Sequence, residues 1–365
     1  MRRFYSTALA LALSLAYPPA IALAGNSGES CSCKHLESLQ QELENALYEA
    51  KFFAELSSEL KKLEDDLNKK KSDPNNEDAD VVVKSRTKAK WDQIKSGKFR
   101  LPHPQVTGYT GPESVDMPYG SCAQNASDLR ALETGASCKE IAEITLAHEK
   151  QHRDLCTKTG AAAYWERPLS EMAAEESNRY EDQANAMRAQ LKRVIDNGTV
   201  TVEAEMEMRV FGPQFDVTYS YVTDPMEMQG KSSPGADDWT LKGDGHQAGT
   251  IKRAKIAGMN CKPSGQLNDA VNMEIETDGL WMSLDEKTTG QAGDVKLKCK
   301  GGFGMSMRPQ GETGGGRLLD RQRVATEVAK ETDVSGLDFA KYIRQGGMSV
   351  EGTHKMKVLL ICPGQ

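Results

Sequence analysis

The first sustained pattern in the chain is an apolar repeat at spacings of three and four residues, with Lys and Glu in many of the gaps. Residues at these spacings share one face of an α-helix, so the repeat predicts a long amphipathic helix, coiled-coil-like from about Phe53 to Leu67. The stripe is shorter than several clean heptads, which favours packing on the helix's own protein over a homodimer through this N-terminal helix. The apolar positions are Leu36, Leu39, Leu43, Leu47, Phe53, Leu56, Leu60, Leu63 and Leu67.

Helical periodicity returns at Ser137, which forms a capping-box pattern with Glu140. The apolar face that follows includes His148 and His152, and Gly160 is a stop signal. A second helix is predicted after Pro168, because proline is tolerated in a first helical turn. Its apolar stripe is Leu169, Met172, Ala173, Glu176, Tyr180, Ala184, Met187 and Leu191, whereas the polar side carries Glu171, Glu175 and Asp182.

From Thr199 onward the apolar period changes to two, which predicts antiparallel strands separated by Gly, Pro, Asp and Asn. Regular short strands of this kind suggest a β-sandwich. A flexible loop is predicted at the Gly-rich run 311–316, a helix over Leu318–Lys330 and a final strand over Val358–Ile361. The other predicted strands are 199–210, 215–222, 249–256, 271–275, 280–284 and 295–299.

The first residues have the pattern of a signal peptide: basic Arg2 and Arg3, an apolar stretch over 8–15, and a cleavage signal ending at Ala24. The apolar stretch is too short to span a bilayer, so an exported protein without a transmembrane segment in the mature chain is expected, in a periplasm or outside the cell. The formal net charge of −7 disfavours nucleic acid and anionic membrane as main partners.

All eight cysteines follow the predicted cleavage point, and an even number in an exported chain indicates up to four disulfides. Cys138 and Cys156 lie at opposite ends of a predicted helix, too far apart to bridge each other, and Cys122 is the nearest partner for one of them. A zinc site built from four cysteines is the weaker alternative. The remaining candidates are Cys31, Cys33 and Cys362, which could join the termini to the body, and Cys261 and Cys299, which could staple the strands.

The chain has only six histidines, and two of them stand in the segment His148-Glu149-Lys150-Gln151-His152, an HExxH motif. On a helix, the two imidazoles lie one above the other and can hold one metal ion, while Glu149 can act on a metal-bound water. Glu176 is the candidate third ligand, because a carboxylate within an apolar stripe is costly unless it is paired or binds metal. Glu175 is the second choice, since helix phase is uncertain by a residue.

These residues resemble the gluzincin class of HExxH zinc metallopeptidases, in which a Glu from the next helix completes the site. The segment from Cys122 to Leu191 is also similar, more loosely, to secreted bacterial metallopeptidase-like proteins with cysteines flanking the HExxH helix. A metzincin is excluded, because that class needs Gly and His where Leu155 and Lys158 stand.

The resemblance implies a zinc-dependent peptidase acting on protein or peptide substrates, with Glu149 as general base. Many gluzincins orient the first His with an Asp one turn after the ligand Glu; Tyr180 stands there, so it is the expected second-shell residue. Tyr164 and His246 are candidate oxyanion donors. The alternative is a non-catalytic envelope-associated binding or structural protein with a degenerate or structural metal site.

Together the patterns predict an α+β fold: a long N-terminal amphipathic helix, a helical zincin-like core carrying the HExxH motif, and a C-terminal antiparallel β-sandwich-like domain. The expected boundaries are 1–24 for the signal peptide, 25–72 for the helical arm, 73–121 for a linker, 122–197 for the helical core, 198–310 for the β-rich domain, and 311–365 for the Gly-rich loop, helix and terminal strand.

Overall fold

The computed structural model describes residues 28–71, 85–89, 117, 120–231, 238–289, 295–302, 304–307 and 312–362. The predicted signal peptide and most of the predicted linker lie outside these residues. No helix in the described ranges is both long and apolar enough to cross a membrane. Within the described residues, five helices have eight or more residues: α1 (Leu36–Lys71), α2 (Ala126–Gly135), α3 (Lys139–Thr159), α5 (Leu169–Asp196) and α6 (Asp338–Gln345). The short helix α4 (Ala161–Trp165) lies between α3 and α5.

The predicted long N-terminal helix is confirmed as α1, and its apolar stripe is buried within its own chain. Leu56 and Leu60 pack with Ala173 of α5, and Leu39 and Leu43 belong to the core shared with the sheet. Two side-chain hydrogen bonds fix the pairing of the two helices: Ser57 donates to the carbonyl of Ser170, and Ser177 donates to that of Ala50.

The chain after α5 forms one antiparallel sheet of eleven strands. Its main path runs β10-β11-β1-β2-β3-β4-β7-β8, and it forks at β3, whose first part pairs with β5; β6 and β9 extend that branch. The strands are β1 (Thr199–Gly212), β2 (Phe215–Lys231), β3 (Trp239–Ile256), β4 (Met259–Ser264), β5 (Leu267–Thr277), β6 (Trp281–Thr289), β7 (Val295–Cys299), β8 (Gly304–Met307), β9 (Glu312–Arg323), β10 (Glu327–Asp333) and β11 (Ser349–Ile361).

The α+β class and the antiparallel strands are therefore confirmed, but the sandwich of two separate sheets is wrong, because all eleven strands join one forked sheet. The predicted helix over Leu318–Lys330 is also wrong. That segment supplies the end of β9 and the start of β10, and residues 312–316 of the predicted Gly-rich loop are part of β9. The final strand is confirmed and is longer than predicted, since it begins at Ser349.

Four disulfides hold this architecture together, and they agree with an oxidising compartment. The bonds are Cys31–Cys138, Cys33–Cys362, Cys122–Cys156 and Cys261–Cys299. The expected tie between Cys122 and an end of the HExxH helix is thereby confirmed. The first two bonds attach the start of α1 to the start of α3 and to the end of β11, so the helical layer is fastened to the sheet at the termini.

Candidate metal centre

Helix α3 carries the HExxH motif on its buried face. Its N-cap is Cys138, one residue later than the predicted Ser137, and Glu140 accepts a hydrogen bond from the backbone of Cys31 at 2.6 Å instead of closing a capping box. The helix ends at Gly160, whose φ of 91° is a backbone conformation that favours glycine. Both ends are therefore fixed, one by the disulfide at Cys138 and the other by the glycine.

Three ligand atoms from α3 and α5 meet at one point. His148 Nε2 and His152 Nε2 lie 3.2 Å apart, and Glu176 Oε2 lies 3.8 Å from the first and 3.3 Å from the second. His148 and His152 are buried, whereas the side chain of Glu176 is 32% exposed. This His-His-carboxylate group can hold a metal ion.

Glu175 has a different position from the one predicted. The sequence predicts it on the polar side of its helix and as the second choice of ligand, but its side chain is only 7% exposed and contacts Nδ1 of His152. His152 Nδ1 and Glu175 Oε1 are 2.9 Å apart, and Arg167 donates to Glu175 Oε2 at 2.6 Å. Arg167, Glu175 and His152 thus form a chain of contacts that leaves His152 Nε2 facing Glu176.

The ionisable groups of the site stabilise one another's charged forms. Burial lowers the pKa of His152, but its contacts with Glu175 and Glu176 outweigh burial and raise the pKa to about 10. Burial raises the pKa of Glu176, and the contacts with His148 and His152 outweigh it and hold the pKa at about 2. For Glu175, burial acts in the same upward direction, and His152 and Arg167 lower the pKa overall. Both carboxylates are therefore ionised at neutral pH and His152 is protonated there, so a metal ion at this site would have to displace the Nε2 proton of His152.

Tyr180 lies beside the first histidine. Its ring centroid is 4.5 Å from that of His148, and its ring also stacks on Phe53 of α1, with centroids 5.8 Å apart and planes nearly parallel. His148 Nδ1 is buried and has no hydrogen-bond partner among the described residues. The contact from Tyr180 to His148 is thus one of ring packing, and it links α1 to the site.

Glu149, the predicted general base, is buried on α3 next to His148. Its backbone carbonyl accepts a hydrogen bond from Gln124 at 2.5 Å. The Gln124 segment is held in turn by the Cys122–Cys156 disulfide and by Trp165, which donates to the carbonyl of Ser121 at 3.0 Å. The segment from Ser121 to Gln124 therefore holds the second half of the HExxH helix in place.

The two candidate oxyanion donors are placed differently. Tyr164 is buried on α4, with the Arg167 guanidinium 4.1 Å from its ring centroid; burial and the nearby Glu175 raise the pKa of Tyr164 to about 12. His246 is exposed on β3, in the sheet and not in the helical layer. Of the two, only Tyr164 belongs to the surroundings of the candidate metal centre.

Sequence reasoning missed Arg167 and the contact of Glu175 with His152 Nδ1. The signal for both was weak, because Glu175 follows the polar phase of its helix and Arg167 lies in the turn before it. Comparison of the chain with protein-family models, with curated proteins and with solved structures finds no match in any of the three.

Proposed function

We propose that the chain is an exported zinc-dependent metallopeptidase of the gluzincin type. The observation that carries the proposal is the meeting of His148 Nε2, His152 Nε2 and Glu176 Oε2 at separations of 3.2–3.8 Å. In a tetrahedral zinc site with bonds of about 2.0–2.1 Å, ligand atoms lie about 3.3 Å apart. Three protein ligands leave the fourth position of such a site for water, which is the arrangement of catalytic zinc.

The roles of the residues follow from this arrangement. Bound zinc would supply an activated water and polarise the scissile carbonyl. Glu149 takes the proton of the water and delivers it to the leaving amine. Glu175, held by Arg167, keeps His152 in the tautomer whose Nε2 is available to the ion.

Metal content is the first test. The purified protein should contain one equivalent of zinc, and His148→Ala should contain much less, because two side-chain ligands do not hold the ion as tightly as three. Lys150→Ala is the matched control, since Lys150 is exposed in the same motif. Stoichiometric zinc retained in His148→Ala, or iron found in place of zinc, would overturn the assignment.

Hydrolysis is the second test. Glu149→Gln should keep the metal and the fold and lose activity on an unfolded protein substrate by at least a hundredfold, because the general base is gone. Lys150→Gln should hydrolyse at the wild-type rate. Equal rates for Glu149→Gln and the wild type would remove Glu149 from the mechanism.

The second candidate is a non-catalytic envelope protein with a structural metal site, and the burial of the centre favours it. His148, Glu149 and His152 are all buried; Tyr180 packs against the ring of His148, and Phe53 of α1 stacks on Tyr180. A structural site is closed, whereas a catalytic site keeps a position open to substrate.

Phe53→Ala separates the two candidates. If α1 covers a working cleft, the variant should keep its zinc and hydrolyse peptide faster than the wild type does. If the site is structural, neither protein should hydrolyse peptide, and removal of the metal should lower the melting temperature of both. Point substitution is preferable to deletion of the chain up to the end of α1, because that deletion would also remove Cys31 and Cys33 and expose the core that α1 covers.

A further inference from the structure

A second histidine environment lies in the sheet, away from the HExxH helix. His354 is on the inner face of β11 with 3% of its surface exposed, and its Nε2 has no hydrogen-bond partner among the described residues. Burial without a partner costs free energy for a polar nitrogen, so such an atom calls for an explanation. Burial lowers the pKa of His354, which leaves a neutral imidazole able to donate a lone pair.

Two methionines of the neighbouring strand lie on the same face. Met206 of β1 is directly opposite His354 in the antiparallel register, and Met208 follows two residues later, opposite Gly352. Directly opposed side chains have Cβ atoms about 4.5–5.5 Å apart, and diagonal pairs are about 7–8 Å apart. Flexible thioether side chains at these positions can bring both sulfurs to one point near the imidazole.

These methionines differ from the packing methionines of the same sheet. Met226 and Met228 are buried, and a Cβ added at Gly243 would come within 2.6 Å of Met228 Sδ, so these two fill the space above a glycine. Met206 and Met208 are only partly buried, and both contact two separate core clusters. They therefore lie at the junction of two cores, and neither side chain is fully enclosed.

We propose that His354, Met206 and Met208 form a binding site for Cu(I). A neutral imidazole with thioethers is a soft donor set, which suits Cu(I), whereas carboxylate and water suit harder cations. The site contains no carboxylate and is therefore chemically distinct from the His148, His152 and Glu176 group. It stands independently of the proposed peptidase activity.

The test is an NMR titration of the full mature protein carrying ¹³C-labelled methionine methyl groups. Cu(I) is added without oxygen as its acetonitrile complex, and Met206→Leu, Met208→Leu and Met226→Leu assign the three methyl signals. The signals of Met206 and Met208 should shift and saturate at one equivalent, the signal of Met226 should stay, and Zn(II) should shift none of them.

Affinity measured by competition with a Cu(I) chelator completes the test. His354→Gln and Met206→Leu should each weaken Cu(I) binding at least tenfold, and Met226→Leu should leave it unchanged. If His354→Gln fails to fold, the isosteric Met206→Leu variant decides the outcome. Unshifted methyl signals, a general shift of all methionines, or unchanged affinity in Met206→Leu would overturn the proposal.

Discussion

At the scale of single residues, His152 is held by carboxylates on both of its ring nitrogens. Glu175 fixes Nδ1, and Glu176 faces Nε2. A neutral imidazole donates through one nitrogen and accepts through the other, so once an ion displaced the Nε2 proton, the carboxylate on Nδ1 would direct the lone pair of Nε2 toward that ion. In the proposed site, two adjacent acidic residues of one helix thus have different tasks, one as ligand and one as orienting group.

Glu175→Gln should separate these tasks. Because an amide orients the imidazole less firmly than a carboxylate, we expect the zinc affinity to fall about 10–100-fold, with the stoichiometry unchanged. Competition with a chromogenic chelator measures the affinity. Glu171→Gln is the matched control, since Glu171 is exposed one turn earlier on the same helix. Equal affinities for Glu175→Gln and the wild type would show that Glu175 does not orient the ligand.

At the scale of secondary-structure elements, α1 packs between the helical layer and the sheet and joins the two. Gln40 donates two hydrogen bonds from α1, to the carbonyl of Gly279 at 3.0 Å and to that of Val324 at 2.9 Å. Arg323 of β9 pairs with Glu44 of α1. Buried polar contacts of this kind fix the position of a helix more specifically than its apolar stripe does.

The same helix carries an acidic group with an unfavourable environment. Burial raises the pKa of Glu42 to about 7, against 4.5 for an ordinary Glu. The folded protein therefore keeps a proton that the unfolded chain loses above pH 4.5, so stability falls as pH rises from 4.5 to about 7 and is level above that.

Glu42→Gln should remove this loss of stability at higher pH. We expect the variant and the wild type to have equal free energies of unfolding at pH 4, and the variant to be more stable by about 1–3 kcal/mol at pH 8. Urea unfolding at both pH values measures the difference. Glu37→Gln, at an exposed position of α1, should show no such pH-dependent gain. A Glu42→Gln gain that is the same at both pH values would contradict the protonation argument.

At the scale of the whole molecule, the disulfides fasten the first helix to the last strand. Cys33–Cys362 spans 329 residues, whereas Cys122–Cys156 spans 34. A cross-link restricts the unfolded chain more when it closes a longer loop, although the dependence on loop length is logarithmic.

Removal of the two bonds should therefore have unequal effects on stability. We expect Cys33→Ala with Cys362→Ala to lower the free energy of unfolding by about 4–5 kcal/mol, and Cys122→Ala with Cys156→Ala to lower it by about 3–4 kcal/mol. Guanidinium unfolding without reductant measures both. Loss of the Cys122–Cys156 bond should also loosen the hydrogen bond from Gln124 to the carbonyl of Glu149. The rate of metal binding should therefore change more in the Cys122→Ala, Cys156→Ala protein than in the Cys33→Ala, Cys362→Ala protein. The reverse order of stabilities would contradict the loop-length argument.

Local patterns were sufficient for the features that depend on near neighbours along the chain. The period of 3.6 in 36–67 and 139–156 predicted α1 and α3, and the period of two predicted β1, because each period indicates which face of a helix or strand is apolar. The motif spacing alone put His148 and His152 on one face. Helix length alone excluded a bond between Cys138 and Cys156, and nearness along the chain pointed to Cys122 as a partner.

Features that depend on distant parts of the chain were decided by tertiary contacts. Residues 318–330 have a pattern compatible with a helix, but pairing of Leu319 with Leu284 of β6 and of Val328 with Val358 of β11 makes them strands. The choice between Glu175 and Glu176 depends on how α5 is rotated against α3, which a one-residue change of phase would reverse. Whether eleven strands form two sheets or one forked sheet depends on which edges meet, and no period within a single strand carries that information.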